Sequence, residues 1–251
     1  MRTVLITGAT SGIGKATAER LAEENYRLIL CGRRADKLEE LRAELTEKVE
    51  VITLCFDVQN QKQVADAISS LSADWQTVDI LINNAGNAHG LDPLSDCKTP
   101  DWDAMIDSNV KGLLYVSSEI IPQMKQRGNG HIINISSVAA LQSYVNGVVY
   151  SATKKAVDGI SEGMRLELTE FGVKVTNIRP GLVETNFSLV RFKGDAARAA
   201  SVYQGYQALK SEDIADIIAY AVSAPEHVTI ADVTVYPKAQ SSPTTVYRRE
   251  S

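Results

Sequence analysis

Short apolar runs alternate along this chain with longer stretches in which apolar side chains recur every three or four positions. The runs Thr3–Thr7, Arg27–Cys31, Glu50–Cys55, Ile80–Asn83, His131–Ser136, Lys174–Ile178 and Val233–Tyr236 predict strands. Between them, Lys15–Glu24, Ala35–Leu45, Gln61–Leu71, Pro100–Met124, Tyr150–Glu170 and Glu212–Val222 carry helical spacing. In the second of these helices Leu38, Leu41 and Leu45 share a face; in the fifth, Ala152, Ala156, Val157, Ile160, Met164 and Leu168 form one stripe. Strand and helix alternate to the end, which predicts an α/β fold: a doubly wound parallel sheet of about seven strands with helices on both faces. In such sheets ligands bind beyond the C-terminal ends of the strands, so the loops there are the candidates for chemistry. One connection, at about residues 180–210, is longer than a strand-to-helix link needs, and it reads as a lid over that edge, with a plain surface excursion as the other reading.

Composition narrows the partners. The 251 residues contain no repeat, low-complexity tract or Pro/Gly-rich linker, so residues 1–251 are expected to form a single domain. A net charge of −5 and a pI near 5.3 argue against a nucleic-acid or anionic-membrane partner and for a small molecule. With the first strand starting at Thr3 and no apolar run near the ~20 residues that span a bilayer, the expected location is the cytoplasm. Cys31, Cys55 and Cys97 lack metal spacing and read as structural, Cys31 and Cys55 as small hydrophobes at the ends of apolar runs. His89, His131 and His227 are scattered, and no metal site is expected.

The first chemistry lies between the first strand and the first helix. Gly8, Gly12 and Gly14 frame a loop, with Thr10, Ser11 and Ile13 between them, whose backbone N–H groups and following helix N-terminus suit a pyrophosphate. In isolation the spacing fits an ordinary tight turn equally well; its position between a buried strand and a helix makes it a dinucleotide site of Rossmann type. The second strand ends in Cys31-Gly32-Arg33-Arg34 rather than in an acidic residue, and two guanidinium groups suit a ribose 2′-phosphate, which favours NADP over NAD.

Further along, Tyr150 and Lys154 stand four residues apart on one helical face. A unit charge at 4 Å and an effective dielectric of 20 contributes about 4 kcal/mol, enough to lower a tyrosine pKa of about 10 by roughly three units. So tuned, Tyr150 serves as general acid in carbonyl reduction and general base in the reverse. Tyr206 and Lys210 repeat the spacing. Thirteen residues before Tyr150 stands Ser137, at the end of the fifth strand, whereas the same step back from Tyr206 reaches Lys193. Only the first pair has a hydroxyl at the ligand edge, able to donate to a substrate oxygen as charge develops there. Tyr206 and Lys210 are therefore assigned to helix surface or lid, and Ser136 remains the competitor of Ser137.

With these motifs in hand, the chain resembles the short-chain dehydrogenase/reductase family over nearly its whole length. Thr7–Gly14 looks like that family's glycine loop, Asp57-Val58 like its adenine-contacting pair, and Asn83-Asn84-Ala85-Gly86 like its segment after the fourth strand. Asn109, Ser137, Tyr150 and Lys154 look like its catalytic tetrad. The resemblance implies that Asn109 supports a water chain to Lys154 and that Lys154 also holds the nicotinamide ribose. It further implies that Pro180, Gly181, Leu182 and Val183 hold the carboxamide, with Asn84 and Thr185 among the cofactor contacts, and that the protein is a homotetramer in which the Asn109 and Tyr150 helices pack across one interface.

Two departures matter. Ser11 stands where many NADP-preferring members carry a basic residue, which leaves Arg33 and Arg34 to select the phosphate, and Ala231-Asp232-Val233-Thr234-Val235-Tyr236-Pro237 lacks the common Asp-Gly-Gly. Gly181-Leu182-Val183 and Arg191-Phe192-Lys193-Gly194-Asp195 instead resemble the NADP-dependent 3-hydroxy acid dehydrogenase branch, which acts on serine, allo-threonine and related acids or the corresponding semialdehydes. Arg191 then reads as a carboxylate clamp, or else as a solvated lid charge or oligomer contact. The alternatives are a reductase of diketones, sugars or 3-oxoacyl thioesters, and an NADP sensor without turnover; the chain has no Gly-x-Ser-x-Gly elbow of a serine hydrolase.

Overall fold

Alternate residues of the central strands enter two different cores. Val4, Ile6, Leu28, Leu30, Ile80, Ile82 and Ile133 pack into one, and their neighbours Leu5, Ile29, Leu81 and Ile132 into the other. A strand buried on both faces must be apolar throughout, which is why these segments read as unbroken runs. The computed structural model describes residues 1–249.

In chain order β1 (Thr3–Thr7), α1 (Gly12–Ala22), β2 (Arg27–Gly32), α2 (Ala35–Thr46), β3 (Val51–Cys55), α3 (Gln61–Ser69) and β4 (Ile80–Asn83) make the first half. Then α4 (Thr99–Ile106), a π-helical turn (Asp107–Gly112), α5 (Leu113–Arg127), β5 (Gly130–Ile135), α6 (Val148–Leu168) and β6 (Val173–Pro180) follow. Two short helices, α7 (Phe187–Arg191) and α8 (Ala196–Ser201), precede α9 (Ser211–Ser223) and β7 (Asp232–Val235). The strands form a seven-stranded sheet in the order β3-β2-β1-β4-β5-β6-β7, each pair parallel. The winding direction reverses between β1 and β4, and a doubly wound sheet opens its ligand crevice at such a point. No helix among the described residues is long and apolar enough to cross a membrane.

Three expectations change. The helix read over Pro100–Met124 is interrupted by the π turn, an insertion too local to alter apolar periodicity. The stripe read on α6 is displaced: Ala152 is exposed and Ala156 and Ile160 are half-buried, while Ser151, Thr153, Lys154, Val157 and Ser161 face inward. That face carries polar groups because it meets the strand ends rather than an apolar layer alone. Cys55 is exposed at the end of edge strand β3, not packed as a hydrophobe.

Candidate active site

The switch point is built by an interlock between β1, α1 and β4. Thr7 Oγ1 accepts from the Asn84 and Ala85 amides at 3.1 and 3.0 Å, and Asn84 Nδ2 donates to the Thr7 carbonyl at 2.9 Å. A Cβ at Gly14 would stand 2.4 Å from the Gly8 carbonyl oxygen and 2.5 Å from Asn84 Nδ2, so α1 reaches this close to the loop only through glycine. Ser11 caps α1 without a side-chain hydrogen bond, which leaves the first-turn N–H groups unclaimed by it where Gly12 and Ile13 face a cavity of about 630 Å³. Gly8, Thr10 and Ser11 line the same floor; Gly14 lies behind it.

At the far end Arg33 and Arg34 flank the cavity with Asp57 and Val58. Arg34 Nη2 donates to Thr10 Oγ1 at 2.8 Å, and Arg33 Nη1 stands 3.4 Å from Asp57 Oδ2 with its side chain 65% exposed. Open helix amides at one place and two guanidinium groups at another fit a dinucleotide bearing an extra phosphate on its adenosine half. Asn84 lines the centre, and Pro180, Gly181, Leu182, Val183 and Thr185 line the wall beyond β6. Gln240, which lines the cavity too, holds that wall: it accepts the Leu182 amide on Oε1 at 2.9 Å and donates to the Ser242 carbonyl at 3.0 Å.

Ser137, Tyr150, Lys154 and Arg191 meet at the other end of the cavity. Ser137 caps a short 3₁₀ turn, its Oγ accepting from the Ala139 amide at 3.2 Å. The Ser136 hydroxyl is committed elsewhere, donating to Asp158 Oδ1 at 2.6 Å. Asn109 is not in the cavity wall. It sits buried in the π turn, accepting from the Asn87 amide at 2.8 Å and donating to the Asn87 carbonyl at 2.9 Å and to Thr153 Oγ1 at 3.1 Å.

The electrostatics differ from the sequence expectation. Lys154 Nζ donates to the Ile135 carbonyl at 2.9 Å and lies 5.9 Å from the Tyr150 ring centroid. Burial lowers its pKa to about 8, against the opposing charge of Asp158. Tyr150 is not acidified: its deep hydroxyl is pushed up to about 12 by burial first and by Tyr144 second, and the groups that lower it are Arg191 and the Ser137 hydroxyl. The assumed direct Tyr–Lys attraction fails because burial lowers Lys154 to about 8, so the lysine is already neutral where a phenol pushed up to about 12 gives up its proton.

Asp158 belongs to a network that joins α6 to the sheet. It accepts from Asn177 Nδ2 at 2.8 Å and from Arg179 Nε at 2.7 Å, and Arg179 Nη2 reaches Asp232 at 2.7 Å. Tyr206 and Lys210 are not on one helix: Tyr206 follows α8 and donates to the Val202 carbonyl at 3.2 Å, while Lys210 caps α9. Sequence reasoning passed over Tyr144, Gln240 and the π turn. Tyr144 could have been noticed as an aromatic in the loop between Ser137 and Tyr150; Gln240 and the turn leave no mark in the residue pattern.

A family model described as short chain dehydrogenase matches residues 2–195. Over 239 residues the chain is 43% identical to the NADP-dependent 3-hydroxy acid dehydrogenase YdfG of Salmonella typhi, covering 95% of this chain and 96% of that protein. An NADP-dependent 3-hydroxy acid dehydrogenase of Schizosaccharomyces pombe is 40% identical over 253 residues, covering 100% of this chain and 98% of its own. The solved structure of the closed form of serine dehydrogenase complexed with NADP+ matches with a TM-score of 0.92 at 40% identity, covering 99% of this chain and 100% of that one.

Proposed function

This chain belongs to the short-chain dehydrogenase family, and from that premise we propose that it is an NADP-dependent oxidoreductase acting on the hydroxyl- or carbonyl-bearing carbon of a small 3-hydroxy acid. Serine, allo-threonine, 3-hydroxypropionate and malonic semialdehyde are of the right class. The observation that carries the reading is the single cavity with Arg33 and Arg34 at one end and Ser137, Tyr150 and Lys154 at the other. The names of the relatives and the NADP+ complex of the similar serine dehydrogenase support it.

When bound, the nicotinamide supplies or accepts the hydride. The protons and charges are the work of the chain. In reduction the Tyr150 phenol gives its proton to the substrate oxygen, and Ser137 donates a hydrogen bond to the same atom as negative charge gathers there. In oxidation the Tyr150 phenolate takes the proton from the substrate hydroxyl, and for that form to be present its high pKa must fall. Arg191 and Ser137 act in that direction. Lys154, anchored on Ile135, would hold the nicotinamide ribose, and Asn109 would support the proton route that refills Tyr150. Gly8, Thr10, Ser11, Gly12 and Ile13 would cradle the pyrophosphate, with Gly14 keeping α1 close; Asp57, Val58 and Asn84 would border the adenine half. Pro180 to Val183 and Thr185 would seat the carboxamide.

The segment 180–210 would act as the lid, and Arg191 on α7 as the clamp for the substrate carboxylate. Asp101 and Lys193 pair at 2.8 Å, and the Gly90 amide donates to the Arg191 carbonyl at 2.9 Å, which holds that segment across the cavity. We place the enzyme in the cytoplasm as a homotetramer; exposed Leu114 on α5 and Leu166 on α6 suit an interface through those helices. A second reading, a reductase of uncharged carbonyls, is favoured by the apolar wall of Phe187 and Val190. The deciding test of catalysis is Tyr150→Phe: the variant is expected to bind NADPH normally and lose turnover. Full turnover by the variant would contradict the assignment, and a wild-type protein that binds NADPH but turns over no alcohol or carbonyl would be a sensor.

A further inference from the structure

The lid arginine does not approach the active site alone. Its guanidinium carbon lies 4.9 Å from the Tyr150 ring centroid, 5.5 Å from that of Phe187 and 5.7 Å from that of Tyr144. Phe187 meets the Tyr150 ring edge-on at 5.6 Å, closing the group on the lid side. Arg191 Nη2 donates to the Tyr144 hydroxyl, which thereby uses its oxygen as acceptor. Among the described residues the Tyr144 O–H proton finds no acceptor, and Arg191 Nε is buried without a partner. Two donors left unmatched beside a positive charge, in the wall of the cavity that holds Tyr150, make a place for an anion.

The loop is built to present Tyr144. Asn146 adopts a left-handed conformation at φ 65°, folding the chain back, and a Cβ on Gly147 would stand 2.1 Å from Tyr144 Cε2. The ring therefore lies directly on the backbone of Gly147, a position no other residue leaves open. In a 3-hydroxy acid one methylene separates the reacting carbon from the carboxylate. A substrate with its hydroxyl at Tyr150 and Ser137 thus carries its charge to the neighbouring side chains, and beside Tyr150 stands Arg191, 4.9 Å from its ring centroid and bonded to Tyr144.

We propose that Tyr144 is the second arm of the carboxylate site: its hydroxyl donates to one carboxylate oxygen while Arg191 holds the other, and Tyr144 thereby sets the preference for 3-hydroxy acids over uncharged alcohols. This rests on the 3-hydroxy acid reading above and assigns it a residue that the family motifs do not contain.

The test compares kcat/KM for 3-hydroxybutyrate with that for 2-pentanol, both with NADP, in the wild type, Tyr144→Phe, Arg191→Met and the double variant. The aromatic ring is retained in Tyr144→Phe, and a thermal melt shows whether the fold is kept. The ratio of the two kcat/KM values is expected to fall about tenfold in Tyr144→Phe, as for loss of one hydrogen bond to a charged group. It should fall again when Tyr144→Phe is added to Arg191→Met. Competitive inhibition of 2-pentanol oxidation by butyrate reads the same site without turnover of the acid, and its inhibition constant should rise by a similar factor. An unchanged ratio and inhibition constant in Tyr144→Phe would overturn the proposal. So would a double variant no worse than Arg191→Met, since Tyr144 would then only hold the arginine. A wild type that turns over 2-pentanol and no carboxylate would instead overturn the 3-hydroxy acid reading itself, and the proposal with it.

Discussion

At the scale of single residues, charge at this site is set by what each group is already bonded to. Burial lowers Lys154 to about 8, below the Tyr150 phenol, so the cation that bears on the phenol comes from Arg191, 4.9 Å from its ring centroid. Arg191 lowers the phenol's pKa, so its removal must raise it. With an uncharged alcohol, Arg191→Met is expected to move the rising limb of the pH profile for oxidation to higher pH; a limb that stays in place or moves down would contradict that source of charge. The Arg33 and Arg34 pair makes a separate claim. Both line the end of the cavity away from Tyr150, and Arg33 is largely exposed there with only a long contact to Asp57. Arg33→Ala with Arg34→Ala should weaken NADPH binding at least tenfold while leaving NADH binding within about threefold, because the charge-assisted bonds removed serve only the 2′-phosphate. Equal losses for the two cofactors, measured by fluorescence titration, would refute it.

The elements explain why the sequence displays so much of this fold and less of its site. The inner strands are legible because parallel strands covered on both faces need unbroken apolar runs, and β4, at Ile80–Asn83, falls where the run ends; edge strand β7 shows instead as the alternation Asp232-Val233-Thr234-Val235, with Asp232 and Thr234 exposed. The π turn around Asn109 is not legible, because one wide turn does not disturb the spacing on either side. The inward face of α6 misleads in another way. Its interior positions Thr153, Lys154 and Ser161 are polar, since they hydrogen-bond to Asn109, to the Ile135 carbonyl and to Asn134 rather than meeting an apolar layer alone. Tyr144 and Gln240 escape because their partners, Arg191 and Leu182, come from distant parts of the chain.

The Asp158 network is likewise a product of folding, tying α6 to β5, β6 and β7. Asp158 lies one turn beyond Lys154, and its negative charge holds the lysine's pKa up against burial. Asp158→Asn removes that support, so Lys154 should lose its proton at lower pH and the alkaline limb dependent on it should shift down. Because Arg179 keeps Asp232, the accompanying loss of stability should be about 1–3 kcal/mol rather than the full cost of an orphaned buried charge. An alkaline limb that does not move, in a variant that still folds, would count against Lys154 as the titrating group.

Across the whole molecule the reactive end of the cavity is enclosed by segments far apart in sequence. Arg248 Nη2 donates to the Val202 carbonyl at 2.8 Å, and the Arg249 amide to the Gly205 carbonyl at 2.8 Å, so the C-terminal stretch grips the chain just after α8. Gln240, near the start of that stretch, braces the wall at Leu182. The sheet thus presents Tyr150 and Lys154, and the chain after β6 brings Arg191 over them. This division assigns the hydride chemistry to the sheet and α6, and the choice of substrate to the covering segments. Sedimentation equilibrium would test the homotetramer, for which a mass near four times 27.3 kDa is expected and a monomer would contradict the assembly. The most direct measurement of the central claim is optical: NADP and NAD reduction against L-serine, D-serine, allo-threonine, 3-hydroxybutyrate, 3-hydroxypropionate and an uncharged secondary alcohol. Turnover with NADP and the 3-hydroxy acids is expected to be well above that with NAD or the uncharged alcohol. Turnover confined to the uncharged alcohol, or none with any pair despite tight NADPH binding, would contradict it.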